Sequence, residues 1–185
     1  VLLNREMYGR SIFRAIFFLP MVASSVSVAL LWQPLFDTTN GVLNYILESI
    51  GLKGLPWIYS QDTAMMSVVL VALWKEIGYY MVMFLAGLQN IPSTYYEAAE
   101  IDNASEWAKF RYITLPALKP IMIFVLITIT IGAFKMAVQP MVMTGGGPSY
   151  STYTLVYNIY QTGTVNWEIG IASAMSMIFA AFVIV

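Results

Sequence analysis

The run Leu118-Lys119-Pro120-Ile121-Met122-Ile123-Phe124-Val125-Leu126-Ile127-Thr128-Ile129-Thr130-Ile131-Gly132-Ala133-Phe134-Lys135-Met136-Ala137-Val138-Gln139 carries a single charge past the boundary Lys119, at Lys135. A bilayer core about 30 Å thick needs roughly 20 mostly apolar helical residues. This run satisfies that length and is too long and too apolar for a soluble strand. Three more stretches behave alike. One runs from about Ile12 to Phe36 and contains Arg14, Pro20 and Gln33. Another runs from about Ala64 to Leu88 and is interrupted by Lys75-Glu76, and the last opens near Ile169 and is still apolar at Val185. None shows the ten-residue alternation of a transmembrane barrel, and no internal repeat is visible. The expected fold class is all-α: a polytopic helical membrane protein, organised as one transmembrane domain over 1–185.

Composition agrees. The chain has 185 residues, 59% hydrophobic and 10% charged, against about 45–50% and 25% in soluble domains. Its net charge of -1 provides no basic field for nucleic acid. Without cysteine there is no disulfide, thiol nucleophile or thiolate metal site. Without histidine, Ser-His and Cys-His catalysis, the usual zinc sites and the usual near-neutral acid/base group are gone as well. No catalytic residue, metal site or cofactor is expected. The chain starts at Val1 and stops inside an apolar run, as expected of a fragment of a longer chain.

Lys and Arg set the expected orientation. Arg5, Arg10 and Arg14 stand at the start of the first span, and Lys109, Arg111 and Lys119 flank the segment between the second and third. The segment from Asp37 to Asp62 has only Lys53, and Pro140–Trp167 has neither Lys nor Arg. The N-terminal end and the 89–117 loop are therefore expected on the cytoplasmic side. Trp32, Trp57, Tyr59 and Trp167 fall near the outer boundary, where aromatic belts form. In the first outer loop, apolar residues at 42, 43, 46, 47 and 50 fit one helical face, with Asn40 as N-cap and Gly51 as C-cap. Such a helix either lies on the bilayer interface or docks a partner.

The loop from Ile91 to about Ala117 is built rather than plain. Thr94-Tyr95-Tyr96-Glu97 fits a capping box. Glu97-Ala98-Ala99-Glu100 favours helix, and Asn103 tolerates a left-handed turn that ends one helix before another begins. Ala104–Thr114 resumes, with Trp107, Phe110 and Ile113 three apart on one face, and Leu115-Pro116 is expected to stop it. This helix-turn-helix either docks a cytoplasmic partner or covers the bundle.

The order Glu97-Ala98-Ala99, three residues, Asn103, nine residues, Ile113-Thr114-Leu115-Pro116 resembles the EAA loop of ABC importer permeases. The spacing matches in full, with Asn103 standing where the family has Gly. Phe18-Leu19-Pro20 after Asn4-Arg5 and Gly9-Arg10, Gly41-Val42-Leu43-Asn44, Leu85-Ala86-Gly87-Leu88-Gln89, and Thr144-Gly145-Gly146-Gly147-Pro148 with Ser151-Thr152 are similar to segments of the carbohydrate subfamily, the maltose- and glycerol-phosphate-type permeases. The resemblance implies a type I ABC importer permease fold in a bacterial or archaeal cytoplasmic membrane, with the EAA loop inside. It implies import of a sugar or related polyol, and as partners ATP-binding cassette subunits, a second permease subunit, an extracytoplasmic solute-binding protein and membrane lipid. On this footing Glu97, Ala98, Ala99, Asn103, Ile113, Leu115 and Pro116 couple the chain to an ATP-binding subunit that hydrolyses ATP. Beside this, Glu97 has the purely local role of completing the capping box with Thr94.

Other features are weighed on their own chemistry. Thr144–Pro148 is Gly-rich but lacks the Gly-Lys-Ser/Thr of a phosphate loop. It reads as a tight turn using positive φ, or as a contact for solute or binding protein. Lys75 and Glu76 fall near the middle of a span, where a charge costs several kcal/mol unless paired or wet. With Tyr79 and Tyr80 one turn on, they form a candidate solute path, or else pair with a neighbouring helix. An ion-coupled secondary transporter or channel using Lys75 and Glu76 is the alternative function. Lys135 can snorkel outward. The 12 Met residues suit adaptable helix packing. Eleven of the nineteen charged residues fall within 4–14 and 97–119, where a partner would meet the chain.

Overall fold

The computed structural model describes residues 9–184, with the side chains of Arg10 and Ile184 left aside. The sequence expectations that involve Asn4, Arg5 and Val185 lie outside the described residues. Those residues hold α-helices and no strand. They run α1 (Arg10–Val22), α2 (Ser25–Trp32), α3 (Val42–Ser49), α4 (Gln61–Gln89), α5 (Ser93–Ile101), α6 (Glu106–Lys109), α7 (Leu115–Phe134), α8 (Val138–Met143), α9 (Leu155–Tyr160) and α10 (Ile169–Ile184). Short 3-10 turns stand at Pro34–Phe36 and Trp57–Tyr59, and π turns at Phe110–Thr114 and Gln161–Val165.

Two helical stretches are long and apolar enough to cross a membrane, Gln61–Gln89 and Glu106–Met143, or three if the pair α1 and α2 counts as one. The expected second span is thus present with its ends extended. The first is interrupted at Ala23-Ser24, where Ser24 takes extended backbone (φ -57°, ψ 138°) before α2 begins. The third stops at Phe134, before Lys135, and resumes as α8. A helix opens at Ile169, where the fourth was expected to start, but its described residues make it shorter than the two long stretches.

The chain forms two compact units. Of the described residues, one takes those up to Val22 with Glu76–Ile129. The other takes Ala23–Lys75 with those from Thr130 to Ile184. Within the first, Gly78 lies against the backbone of Phe17 and Phe18, so close that any Cβ there would collide with the Phe17 carbonyl. Only glycine lets α1 and α4 approach to this distance. Along α7 most of the apolar side chains are exposed, Ile123, Phe124, Leu126 and Ile127 among them, as suits a lipid-facing or partner-facing surface.

The second unit has the apolar core: Val28, Ala29, Phe36, Trp57, Ile58, Val68, Val71 and Met143. Aromatic rings organise it. Phe36 packs 5.2 Å from Trp57 and 5.5 Å from Trp32, which meets Trp74 edge-on at 5.4 Å. The Gln33 side chain donates to the carbonyls of Val142 (2.9 Å) and Met143 (3.3 Å), fastening α2 to α8. Asn44, on α3, is buried and fully bonded. Its Oδ1 accepts from Trp57 Nε1 (2.7 Å) and Leu55 N (2.9 Å), and its Nδ2 donates to the carbonyls of Leu55 (3.0 Å) and Thr38 (3.2 Å).

Helix α3 begins one residue later than expected. Gly41, not Asn40, is its N-cap, and no side chain caps it. Asn40 is drawn away because its amide donates to Asp37 Oδ1 (2.7 Å). At the other end the expectation holds: Gly51 has φ +81°, Leu52 N donates to Leu47 O and Gly51 N to Glu48 O, the two bonds of a Schellman cap.

Candidate functional site

The loop between α4 and α7 is a folded knob. Helix α5 starts at Ser93 with Pro92 as N-cap and no side-chain cap. The expected capping box therefore does not form: Thr94 is already inside the first turn, too far along to serve as cap. The C-terminal end follows the sequence. Asn103 has φ +52°, Asn103 N donates to Glu100 O (3.0 Å) and Ala104 N to Ala99 O (2.9 Å). This is a second Schellman cap, with Asn taking the left-handed position that Gly51 takes in α3.

The next helix is capped by Ser105, whose Oγ accepts from Ala108 N (3.2 Å). It is not stopped by Leu115-Pro116. Helix α6 passes through the π turn at Phe110–Thr114 straight into α7. Pro116 follows directly on the π turn, inside this continuous helix, where the wider turn accommodates a residue without an N–H.

Two ties missed in the sequence fasten α5 onto this second segment. Tyr96 Oη and Thr114 Oγ1 share a hydrogen bond of 2.8 Å. Lys109 Nζ bridges Glu100 (3.0 Å) and Glu106 (3.2 Å). The signal for the second lay in the charge pattern; nothing in the sequence marked the first.

These ties fix what faces outward. Glu97 and Ala98 are exposed, Ala99 is half-buried, and Ile113 and Leu115 are half-buried while Pro116 is exposed. Glu97 forms no side-chain hydrogen bond or ion pair among the described residues, so the local capping role has no geometry behind it. The same loop also exposes the apolar side chains Tyr95, Trp107, Tyr112 and Ile101, the last 82% accessible. Trp107 packs 5.7 Å from Phe110 but points outward, so the expected Trp107-Phe110-Ile113 face is only partly turned inward. The loop thus presents an unpaired acidic side chain together with exposed aromatic and aliphatic ones.

On α4, Lys75 is half-buried, Glu76 and Tyr79 are exposed and Tyr80 is half-buried. Tyr80 Oη donates to Glu76 Oε2 at 3.4 Å, as the one-turn spacing predicts, and the Tyr79 and Tyr80 rings meet edge-on at 5.2 Å. Neither Lys75 nor Glu76 is ion-paired with a described residue. The pairing to a neighbouring helix is thus not formed among the described residues.

The Gly-rich turn is closed by hydroxyls. Gly145 and Gly146 have positive φ (+58° and +85°), as expected, and so do Ser149 and Tyr150 (+50° and +59°), which the sequence did not indicate. Thr144 Oγ1 and Thr152 Oγ1 are 2.6 Å apart, and Thr152 donates to Gly147 O (3.0 Å). The ring of Tyr153 occupies the space a Gly146 side chain would need.

Residues 3–185 match the family described as binding-protein-dependent transport system inner membrane component. Relatives include a probable ABC transporter permease protein, y4oQ, of Sinorhizobium fredii, 35% identical over 100% of this chain and 59% of its own length. The trehalose/maltose transport system permease protein MalF of Thermococcus litoralis is 36% identical over 96% of this chain and 60% of its length. The sn-glycerol-3-phosphate transport system permease protein UgpA of Agrobacterium fabrum is 36% identical, over 98% and 62%. The chain thus spans about three fifths of these relatives. It superposes with a TM-score of 0.87 on a chain of a bacterial alginate ABC transporter crystallised with an alginate pentasaccharide-bound periplasmic protein, at 24% identity, covering 99% of this chain and 65% of that one. A further alginate-importer structure gives 0.83 at 25% identity. The helical fold is therefore that of ABC transporter permeases, and the chain belongs to the family of binding-protein-dependent transport system inner membrane components.

Proposed function

We propose that this chain is the membrane-spanning subunit of an ATP-driven importer for a sugar or related polyol. The α5–α6 knob couples it, on the cytoplasmic side, to an ATP-binding subunit that hydrolyses ATP. A second permease subunit completes the translocation path, and an extracytoplasmic binding protein delivers the solute. The solutes for which the relatives are named, trehalose/maltose, sn-glycerol-3-phosphate and arabinooligosaccharides, support the solute class. The observation that carries the coupling role is the exposed Glu97 on a helix clamped by Tyr96–Thr114 and Lys109–Glu100. Ala98 and Ala99 allow close approach, Asn103 sets the turn, and Ile113, Leu115 and Pro116 join the knob to α7. Lys75, Glu76, Tyr79 and Tyr80 give a polar, aromatic strip for a hydroxylated solute.

The test uses the whole transporter in proteoliposomes, with labelled oligosaccharides and glycerol phosphate as probes. Glu97→Lys should abolish ATP-driven uptake while the complex still binds its solute-binding protein, and Glu97→Gln should retain part of it. Normal uptake by Glu97→Lys would sink the coupling role. Uptake that survives loss of the ATPase but stops with an ionophore would instead favour ion coupling through Lys75 and Glu76, a reading to which family membership lends no support.

A further inference from the structure

Helix α3 is built inside out for a loop in water. Its inward side carries Leu43 and Leu47, packed on the core, and between them the polar Asn44 with all its hydrogen bonds made inside. Its outward arc carries Val42, Tyr45, Ile46, Ser49 and Ile50, with Leu52 just past the Schellman cap. These are no grazing exposures: Tyr45 is 75% accessible, Ile46 50% and Ile50 66%. At 100° per residue the five outward positions fall within one arc of about 140°, and that arc has no charge. Charge sits at its margins instead, with Asp37 before the helix, and Glu48 and Lys53 after the arc turns away.

What covers this arc follows from its neighbours in the same compact unit. Helix α2, immediately before, exposes Val26, Leu30 and Leu31, and the first half of α4, immediately after, exposes Met66, Val69, Leu70 and Leu73. Both are apolar helices of an inner membrane component, so those side chains face lipid or a membrane-embedded partner rather than water. The α3 arc lies between these two helices in sequence and within the same unit, and Tyr59, just before α4, is also exposed. A short amphipathic helix with aliphatic and Tyr side chains outward, and charges only at its edges, matches the headgroup–acyl boundary. A soluble partner that docks and leaves would require this arc to face water between encounters, and its aliphatic side chains make that unfavourable.

We propose that α3 is a membrane-surface anchor whose Val42-Tyr45-Ile46-Ile50 face lies in the interfacial layer of the bilayer. The anchor also fixes the depth of the Asn44–Trp57 hub beneath it. These 185 residues contain no cysteine, so once any cysteine elsewhere in this polypeptide is replaced, single introduced thiols report cleanly. In the assembled transporter, with its other subunits made cysteine-free, Tyr45→Cys, Ile46→Cys and Glu48→Cys are each labelled with an environment-sensitive fluorophore in nanodiscs of phosphatidylcholine and phosphatidylglycerol. Lipids spin-labelled at the headgroup or upper chain should remove about half of the emission at 45 and 46, and much less at 48, as expected of a helix lying in the interface. Two results would overturn the proposal. One is equal quenching of all three labels by aqueous iodide, which would place the arc in water. The other is labels at 45 and 46 that lipid quenchers do not reach, or that become shielded only when the solute-binding protein is added, which would assign the arc to a protein partner.

Discussion

Tyr96 and Thr114, eighteen residues apart in sequence, are joined by a 2.8 Å hydrogen bond that ties α5 to the end of the π turn leading into α7. Thr114 is buried there, and its hydroxyl also reaches the Lys109 carbonyl at 3.5 Å, a bond of the π register. Tyr96→Phe should lower stability by about 0.5–1.5 kcal/mol, the range for one intramolecular hydrogen bond. Thr114→Val should do the same or slightly more. Hydrogen exchange of the α5 amides is the sharper readout: it should accelerate in both variants while exchange along α4 stays as it was.

Asn103 holds its left-handed backbone without being glycine. Asn103→Gly should therefore be neutral or mildly stabilising. Asn103→Val should cost about 1–2 kcal/mol, because a branched Cβ meets the following carbonyl at positive φ. Thermal unfolding of the purified transporter checks the ranking Gly, Asn, Val. A Val variant as stable as the parent would show that the turn re-forms in another conformation.

Asn44 satisfies four backbone and side-chain groups at once, and it does so next to Trp57, held at φ +38°. Asn44→Leu keeps the volume and removes every bond. Each buried group left unpaired costs about 1–3 kcal/mol, so the loop from 37 to 59 should open rather than bear the sum. Trp57 emission should shift to the red. The far helices should keep their circular dichroism.

Asp37 gives a pH dependence of known sign. Its Oδ1 accepts from Asn40 N (2.7 Å), Thr39 N (2.9 Å) and Thr39 Oγ1 (3.0 Å). The backbone donors Asn40 and then Thr39 hold the carboxyl below its ordinary value of 3.8. A lowered carboxyl contributes its stability in full above that ordinary value and loses it as pH falls through the lowered one. Exchange at the Thr39 and Asn40 amides should therefore show protection that fades only in that acid range. Asp37→Asn should remove the pH dependence of this protection.

The helices over the expected second and third spans were legible in the sequence because long apolar runs leave few alternatives to helix. Their breaks were less so. Ala23-Ser24 contains no proline or glycine, and the end of α7 before Lys135 follows only from where a charge becomes cheap to solvate. The knob was legible at Asn103 and at the Glu97-Ala98-Ala99 helix, where local backbone preference decides. It was misread at Thr94, since Pro92 can itself begin a helix, and at Leu115-Pro116, since the π turn just before it lets the helix continue through the proline. The Tyr96–Thr114 bond could not be read at all. It depends on how two helices meet, and neither residue type announces a partner.

The path from Asn103 to α7 contains no slack. The Schellman cap, the Ser105 cap, the lysine bridge and the tyrosine clamp leave Ala104 as the one residue between two rigid pieces, and the second piece runs unbroken to Phe134. Under the coupling role proposed above, a push at Glu97–Ile101 would pass to Leu115 through these ties and the single residue Ala104, with no long flexible loop between to absorb it.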